Sequence, residues 1–357
     1  MRRSCRCGSP ALAILALLTL ASASQAQPVN IALSQVGNPG NAADTTGYGS
    51  VGYTYDIGTY DVTVSQYATF LNDVAQTDTY GLYNSDMASV GFFPGGDTGA
   101  GILQSGSEGS FSYSITGGAG NDPITYVSWL DAARFCNWIE NGRPATGVED
   151  AATTEEGTYI LDGDTDITGT TGFETAPTGS AWRLPSEDEW YKAAYYDPSL
   201  NGSSGGYWSY ATQSNVAPRN VIGSRSNQAN YNNGVYSVTQ TSSLSSSQNY
   251  LTATGTFSGS ASYYGTYDQT GDVFQWNDLI VSGSNRELRG GAWDTGSSYG
   301  LSSAFSTSAS PSNDGDPGIG FRIVEEVPEP GTLALIIAAF IIAIAVRHKF
   351  SSRGPAL

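Results

Sequence analysis

Chemistry in the body of this chain has to be done without imidazole and with one thiol. The one histidine, His348, stands in the C-terminal tail, and of the three cysteines Cys5 and Cys7 lie near the start, which leaves Cys136. Ser-His-Asp hydrolysis needs an imidazole base, and zinc is usually held by cysteine and histidine, so residues 27–326 can do neither. A lone cysteine also forms no intramolecular disulfide, whatever the compartment. Cys136 follows Phe135 on the apolar face of a predicted helix, where a small buried hydrophobe is expected rather than a nucleophile. Oxygen donors remain. Asp162-Gly163-Asp164-Thr165-Asp166 opens like an EF-hand loop, but Ile167 replaces the glycine of the sharp turn and Phe173 the acidic twelfth residue. It reads as an acidic, solvated loop.

The elements that would position such groups can be placed in part. A helix is predicted over Ser65–Ala75, where Val64, Tyr67, Phe70, Leu71 and Val74 recur at helical spacing. A second is predicted to start at Ser128, an N-cap with Asp131 three residues on, and to bury Ala132, Phe135, Cys136 and Ile139. A third carries a capping box, Ser186 with Glu189, ahead of Trp190, Ala193 and Ala194. Short aromatic strands are expected at Val51–Ile57, Phe111–Ile115, Tyr207–Tyr210 and Glu287–Leu288. Long loops rich in Gly, Ser, Thr and Asn separate them, above all Ala145–Ser180 and Gly223–Ser262, and loops of that length are usually functional or held by ions or packing.

Both ends read as addresses. Residues 1–26 carry Arg2, Arg3 and Arg6, an apolar run over Ala11–Leu20 and a small-residue end at Ser24-Gln25-Ala26, the pattern of a secretory signal cleaved after Ala26. Residues 27–326 form one domain, large enough for a sizeable core. Residues 327–357 begin Val327-Pro328-Glu329-Pro330, continue as a short apolar helix predicted over 331–346, and end with Arg347, His348, Lys349 and Arg353. The basic flank would stay on the cytoplasmic side and leave the domain outside. This order of parts resembles the PEP-CTERM sorting tail, which implies an exosortase-type enzyme as partner and a membrane anchor until processing. Of 33 acidic residues only Glu329 falls outside the domain, so the exported part is more negative than the −18 of the whole chain. Nucleic acid and anionic membrane are poor partners for such a surface.

A series of blocks runs through the domain. It comprises Tyr60-Asp61-Val62-Thr63-Val64, Val127-Ser128-Trp129, Ala132-Ala133-Arg134-Phe135-Cys136-Asn137-Trp138, Arg183-Leu184-Pro185-Ser186-Glu187-Asp188-Glu189-Trp190, Tyr267–Trp276, Arg289-Gly290-Gly291-Ala292-Trp293 and Gly320-Phe321-Arg322. In this order it resembles the sulfatase-modifying-factor, or formylglycine-generating, family. That resemblance implies an α+β, loop-rich variant of the C-type lectin fold. It also implies two cysteines shortly after the Gly-Gly pair, which in the family's oxidases hold copper and activate oxygen. Here those places are Thr295 and Gly300, and a hydroxyl and a hydrogen atom cannot replace soft thiolates, so copper is not expected. The family's calcium sites map onto Asp268, Gly271 and Val273 through their carbonyls, and Gln275. Asn230 and the carbonyl of Tyr231 match part of a second site. The first set either holds Ca²⁺ or is a dry, hydrogen-bonded turn. Trp129, Trp182, Trp190 and Trp276 are expected in the core, Arg322 as a structural hydrogen-bonding residue, and Tyr207-Trp208, Tyr231 and Tyr263-Tyr264 as loop aromatics that could stack on sugars.

The resulting expectation is an exported cell-surface or matrix protein that works by binding or structure, its ligand an exopolysaccharide, a surface protein or a peptide. The alternative is an oxidoreductase of the same family using non-thiol metal chemistry.

Overall fold

Capping chemistry sets where the helices begin. In the computed structural model, which describes residues 29–89, 100–165 and 182–327, helix α1 runs Val64–Val74 behind a capping box of Thr63 and Gln66. Helix α2 spans Trp129–Glu140 behind Ser128 and Asp131, and α3 spans Glu187–Tyr195 behind Ser186 and Glu189. Each box satisfies two of the backbone N–H groups that a helix start leaves unpaired. α1 thus starts one residue before the position its periodicity suggests, because Thr63 rather than Val64 supplies the cap oxygen.

The strands are short, in chain order β1 (Leu33–Val36), β2 (Tyr55–Gly58), β3 (Ile102–Ser105), β4 (Ser112–Ile115), β5 (Trp182–Arg183), β6 (Tyr196–Asp197), β7 (Gly206–Tyr207), β8 (Phe274–Ser282), β9 (Asn285–Arg289), β10 (Thr307–Ala309), β11 (Ile319–Phe321) and β12 (Val324–Glu326). They form one sheet in the order β1-β2-β12-β5, a second in the order β10-β9-β8-β11, and the hairpins β3-β4 and β6-β7. The architecture is α+β with little regular secondary structure, as the motif series implies. The strand expected at Val51–Ile57 is confined to its second half, and of Tyr207–Tyr210 only Tyr207 lies in a strand, β7, whose pairing with β6 ends with the bond from Trp208 N–H to the Tyr195 carbonyl.

The core is aromatic. Phe70, Phe135 and Phe321 meet edge to face, with Phe135 5.4 Å from each of the others, and Trp129, Trp138 and Trp276 are fully buried around them. Burying each such side chain stabilises the fold by about 1.5–3 kcal/mol. Gly320 is required for space in this core. A Cβ there would lie 2.5 Å from the Ile124 carbonyl oxygen, closer than packed atoms tolerate. The chain then crosses between sheets, with β11 pairing β8 and β12 pairing β2, and Arg322 stands at the crossing.

Candidate functional site

Gly290 and Gly291, at φ +101° and +78°, turn the chain out of β9 into the segment that carries Thr295 and Gly300. Thr295 is held at both ends: its hydroxyl oxygen accepts from the Ala292 N–H at 2.8 Å and its carbonyl accepts from the Asn232 N–H. Ser297 caps the turn Ser298–Leu301, which brings Gly300 back onto Thr295. A Cβ on Gly300 would stand 2.7 Å from Thr295 Cγ2, so the two positions are neighbours in space. Neither can supply a thiolate. Cys136 does not substitute: its side chain is fully buried on α2, and burial pushes its thiol well above the ordinary range, toward the unreactive protonated form.

The oxygen-rich turn at 268–275 is organised by N–H donors. Gln275 Oε1 accepts from Trp190 Nε1 and from Arg322 Nε, both at 2.7 Å, while Gln275 Nε2 donates to the Asp268 carbonyl at 2.9 Å. The side chain of Gln275 therefore fits a hydrogen-bonding role and not that of an ion ligand, because its one oxygen already faces two donors, one of them cationic. Asp268 Oδ2 accepts from the Gly255 N–H at 2.7 Å, and the Gly271 carbonyl from Val273 N–H. Asn230 donates to the Tyr250 carbonyl and to Asp272 Oδ1, and the Tyr231 carbonyl accepts from Ser237 Oγ. Among the described residues no three of His, Cys, Asp and Glu gather as a metal-binding group. If the hydrogen bonds alone hold this turn, the melting temperature will be the same in calcium and in chelator. A rise with calcium would instead mark bound ion, since a ligand of the folded state stabilises by mass action.

Arg322 ties the turn to the rest of the molecule. Besides Gln275 it donates to the Gly58 carbonyl at 2.8 Å, the Tyr267 carbonyl at 2.7 Å and Asp61 Oδ1 at 3.1 Å. Asp61 is fully buried, and burial raises its carboxyl to about 8 against the opposing pull of Arg322. Asp268 is raised by burial to about 6, and Asp272 well above the carboxylate range by burial and then by the Asp268 charge. Sequence reasoning singled out Asp268 but not Asp61 or Asp272. The signal available for Asp61 was its place in a family block, which says nothing about burial.

A second buried ionic group went unnoticed. Arg289 Nη2 meets Glu187 Oε1 at 2.7 Å, and its guanidinium lies over the rings of Tyr191 and Tyr48. Asn277 Nδ2 bridges the two acids, donating to Glu187 at 2.6 Å and Glu287 at 2.9 Å. Burial, followed by the neighbouring Glu287, raises the Glu187 carboxyl well above its usual range.

Of the loop aromatics, Tyr231 is only 1% exposed, and its hydroxyl donates to the Pro218 carbonyl. It is a core residue, and the expectation of an available ring fails there. Trp208 Nε1 donates to Asp197, and Tyr264 reaches Asn38, whereas Tyr263 is exposed. Trp129, Trp190 and Trp276 are core residues as expected, and Trp182 is half-buried. In the EF-hand-like run, Gly163 N–H donates to Glu155 and the Asp164 carbonyl accepts from Arg134. Its Asp166, with Ile167 and Phe173, lies outside the described residues, as do the signal, Pro328, Glu329, Pro330 and the 331–346 run; Val327 is the last described residue. Among the described residues no helix is long and apolar enough to cross a membrane.

Residues 48–327 match the model of the sulfatase-modifying factor enzyme 1-like domain. Among solved structures, the crystal structure of CarF is 19% identical, covers 84% of this chain and 99% of its own, and superposes with a TM-score of 0.44. Treponema denticola variable protein 1 is 17% identical over 85% of this chain and 98% of its own, with a TM-score of 0.46. PvdO from Pseudomonas aeruginosa is 15% identical over 83% of this chain and 92% of its own, with a TM-score of 0.39. No curated protein matches the chain.

Proposed function

This chain belongs to the sulfatase-modifying factor enzyme 1-like family, and from the state of its thiol positions we propose that it acts as an exported binding or structural module rather than a copper oxidase. The observation that carries this reading is the contact of Thr295 with Gly300. The frame that would bring a cysteine pair together is kept, and the pair is missing. Copper-dependent oxidation of a substrate thiol needs two accessible sulfurs, and Cys136 offers one that is buried and protonated.

Export is the part of the proposal that rests on residues 1–26 and 327–357, with delivery to the cell surface or matrix through an exosortase-type enzyme. Strong negative charge suits a secreted domain that must stay soluble. The ligand class best suited to a matrix protein with exposed aromatics such as Tyr263 and Tyr299 is a polysaccharide, whose rings stack on aromatic faces. A glycan array and co-sedimentation with exopolysaccharide test this reading. Saturable retention that falls on replacing Tyr263 or Tyr299 with alanine is expected, and uniform failure to bind any glycan would remove the polysaccharide ligand.

A further inference from the structure

A cavity of ≈ 220 Å³ lies at the start of α2, between Tyr80-Gly81 and the 312–314 segment. We propose that it is a binding site for one neutral sugar residue, a free hexose or the end unit of a glycan, held by a pair of adjacent hydroxyls. Its lining includes neither Tyr263 nor Tyr299. The proposal therefore goes beyond the polysaccharide reading, and it stands or falls on the binding of single sugars, which that reading does not require.

The floor of the cavity is polar and its rim is open. Asp131 and Arg134 stand three residues apart on one face of α2, 4% and 1% exposed, and both line the cavity. Ser128 engages one oxygen of Asp131, its N–H and its hydroxyl both donating to Oδ2, at 2.8 and 2.7 Å. Oδ1 takes no donor from the described residues, and it is not among their enclosed, unpartnered polar atoms. Arg134 is also only partly used. Its Nε and Nη2 bond Glu155, and Nη2 also donates to the Asp164 carbonyl, while Nη1 has no partner among the described residues. The guanidinium is held over the Tyr80 ring, 4.6 Å from its centre. Exposed Gly81 and Thr165 form the rim, half-buried Ser312 and Asp314 stand on one side, and Tyr80 and Leu130 supply carbon walls.

That arrangement selects a diol. A carboxyl oxygen and a guanidinium N–H on one helix face accept from one hydroxyl and donate to its neighbour, so a vicinal pair on a sugar ring satisfies both. Burial raises Asp131 to about 7, so near neutral pH it accepts from a hydroxyl or, protonated, donates to one. An ammonium needs the ionised form, which burial opposes. An anion finds no spare positive charge, because Glu155 already matches Arg134 at 2.8 Å and Asp314 stands in the wall. A metal ion lacks ligands, since among the described residues no three of His, Cys, Asp and Glu gather there. A purely apolar molecule would leave Oδ1 and Nη1 unpaired. The volume suits one pyranose ring with its hydroxyls, being larger than the ~150 Å³ of an engineered cavity that takes benzene. The C–H face of the ring would lie on Tyr80 and Leu130.

The test is titration of the purified protein with the methyl glycosides of glucose, galactose and mannose, read by saturation-transfer NMR, with methyl glucuronide and cyclohexanol as comparisons. At least one neutral hexoside is expected to bind saturably with a Kd of ~1–10 mM. Methyl glucuronide and cyclohexanol should bind about tenfold more weakly or worse, the first for its charge and the second for its single hydroxyl. Asp131→Asn should weaken hexoside binding about tenfold. Because Asp131 also caps α2, Ser312→Trp serves as a second variant that fills the cavity and leaves the cap and the Arg134–Glu155 pair intact. No saturable hexoside binding, equal affinity for cyclohexanol or glucuronide, or unchanged hexoside affinity in Ser312→Trp would each overturn the proposal. Glycan-array binding without hexoside binding would overturn this site and leave the polysaccharide reading standing.

Discussion

Replacing Arg322 with methionine will lower the stability of the domain by about 3–5 kcal/mol, the usual cost of removing one member of a buried ion pair. The guanidinium is fully buried where the chain leaves one sheet for the other, and its four strong partners come from β2, the loop after it, the 267 turn and β8. Without it the buried Asp61 carboxyl loses its cationic partner, and the Gly58 and Tyr267 carbonyls lose their charged donor. The double variant Arg322→Met with Asp61→Leu should recover part of the loss, since exchanging both members of a buried pair for apolar groups is much less costly than exchanging one. Urea melts of wild type, single and double variants decide the matter. A single variant within about 0.5 kcal/mol of wild type would show that the crossing needs no arginine.

The domain will be more stable at pH 5 than at pH 8. Several buried carboxyls are held above their ordinary range, with burial as the largest cause: Asp131 and Glu149 at about 7, Asp268 at about 6, and Glu187 and Asp272 well above the usual carboxylate range. A carboxyl whose folded pKa exceeds its unfolded value binds its proton more tightly in the folded state. Its contribution is complete below the unfolded value and is lost as pH rises through the folded one. For Asp131 alone, raised from 3.8 to about 7, the step from pH 5 to pH 8 removes about 3 kcal/mol. Self-repulsion in a chain of net charge −18 acts in the same direction. Glu189 works oppositely: Arg183 and the Ser186 N–H bring its carboxyl below 4.5 despite burial, so its contribution is lost as pH falls below that range. Maximum stability near pH 5 follows. Melting temperatures at constant ionic strength should drop by about 5 °C or more from pH 5 to pH 8, and a rise over that interval would contradict the burial of these acids in protonated form.

Local chemistry was legible in the residues. Ser128 with Asp131 and Ser186 with Glu189 announce their helices because a cap is read within four positions, and both boxes form. Arg322 was readable as structural, and it is. Strand β8 was not. Its Gln275, Asn277 and Asp278 break any apolar alternation, yet the first two are buried and the third half-buried, because Trp190, Glu187 and Tyr159 reach them from elsewhere in the chain. The Arg289 cluster was hidden for the same reason, since Glu187 and Glu287 are distant in sequence. Tyr231 looked like a loop aromatic because nothing nearby shows that Pro218 would accept its hydroxyl. At the candidate site the missing thiols could be read directly, but the contact between Thr295 and Gly300 could not.

That contact underlies the central claim, that the family frame is kept while its thiol chemistry is absent. The direct measurement is incubation of the purified protein with copper, oxygen and a thiol-bearing peptide, followed by mass spectrometry for the aldehyde product. The account predicts no aldehyde above the level given by copper and oxygen alone. Catalytic turnover to aldehyde would contradict it, because the chain would then be oxidising a thiol without an accessible sulfur of its own.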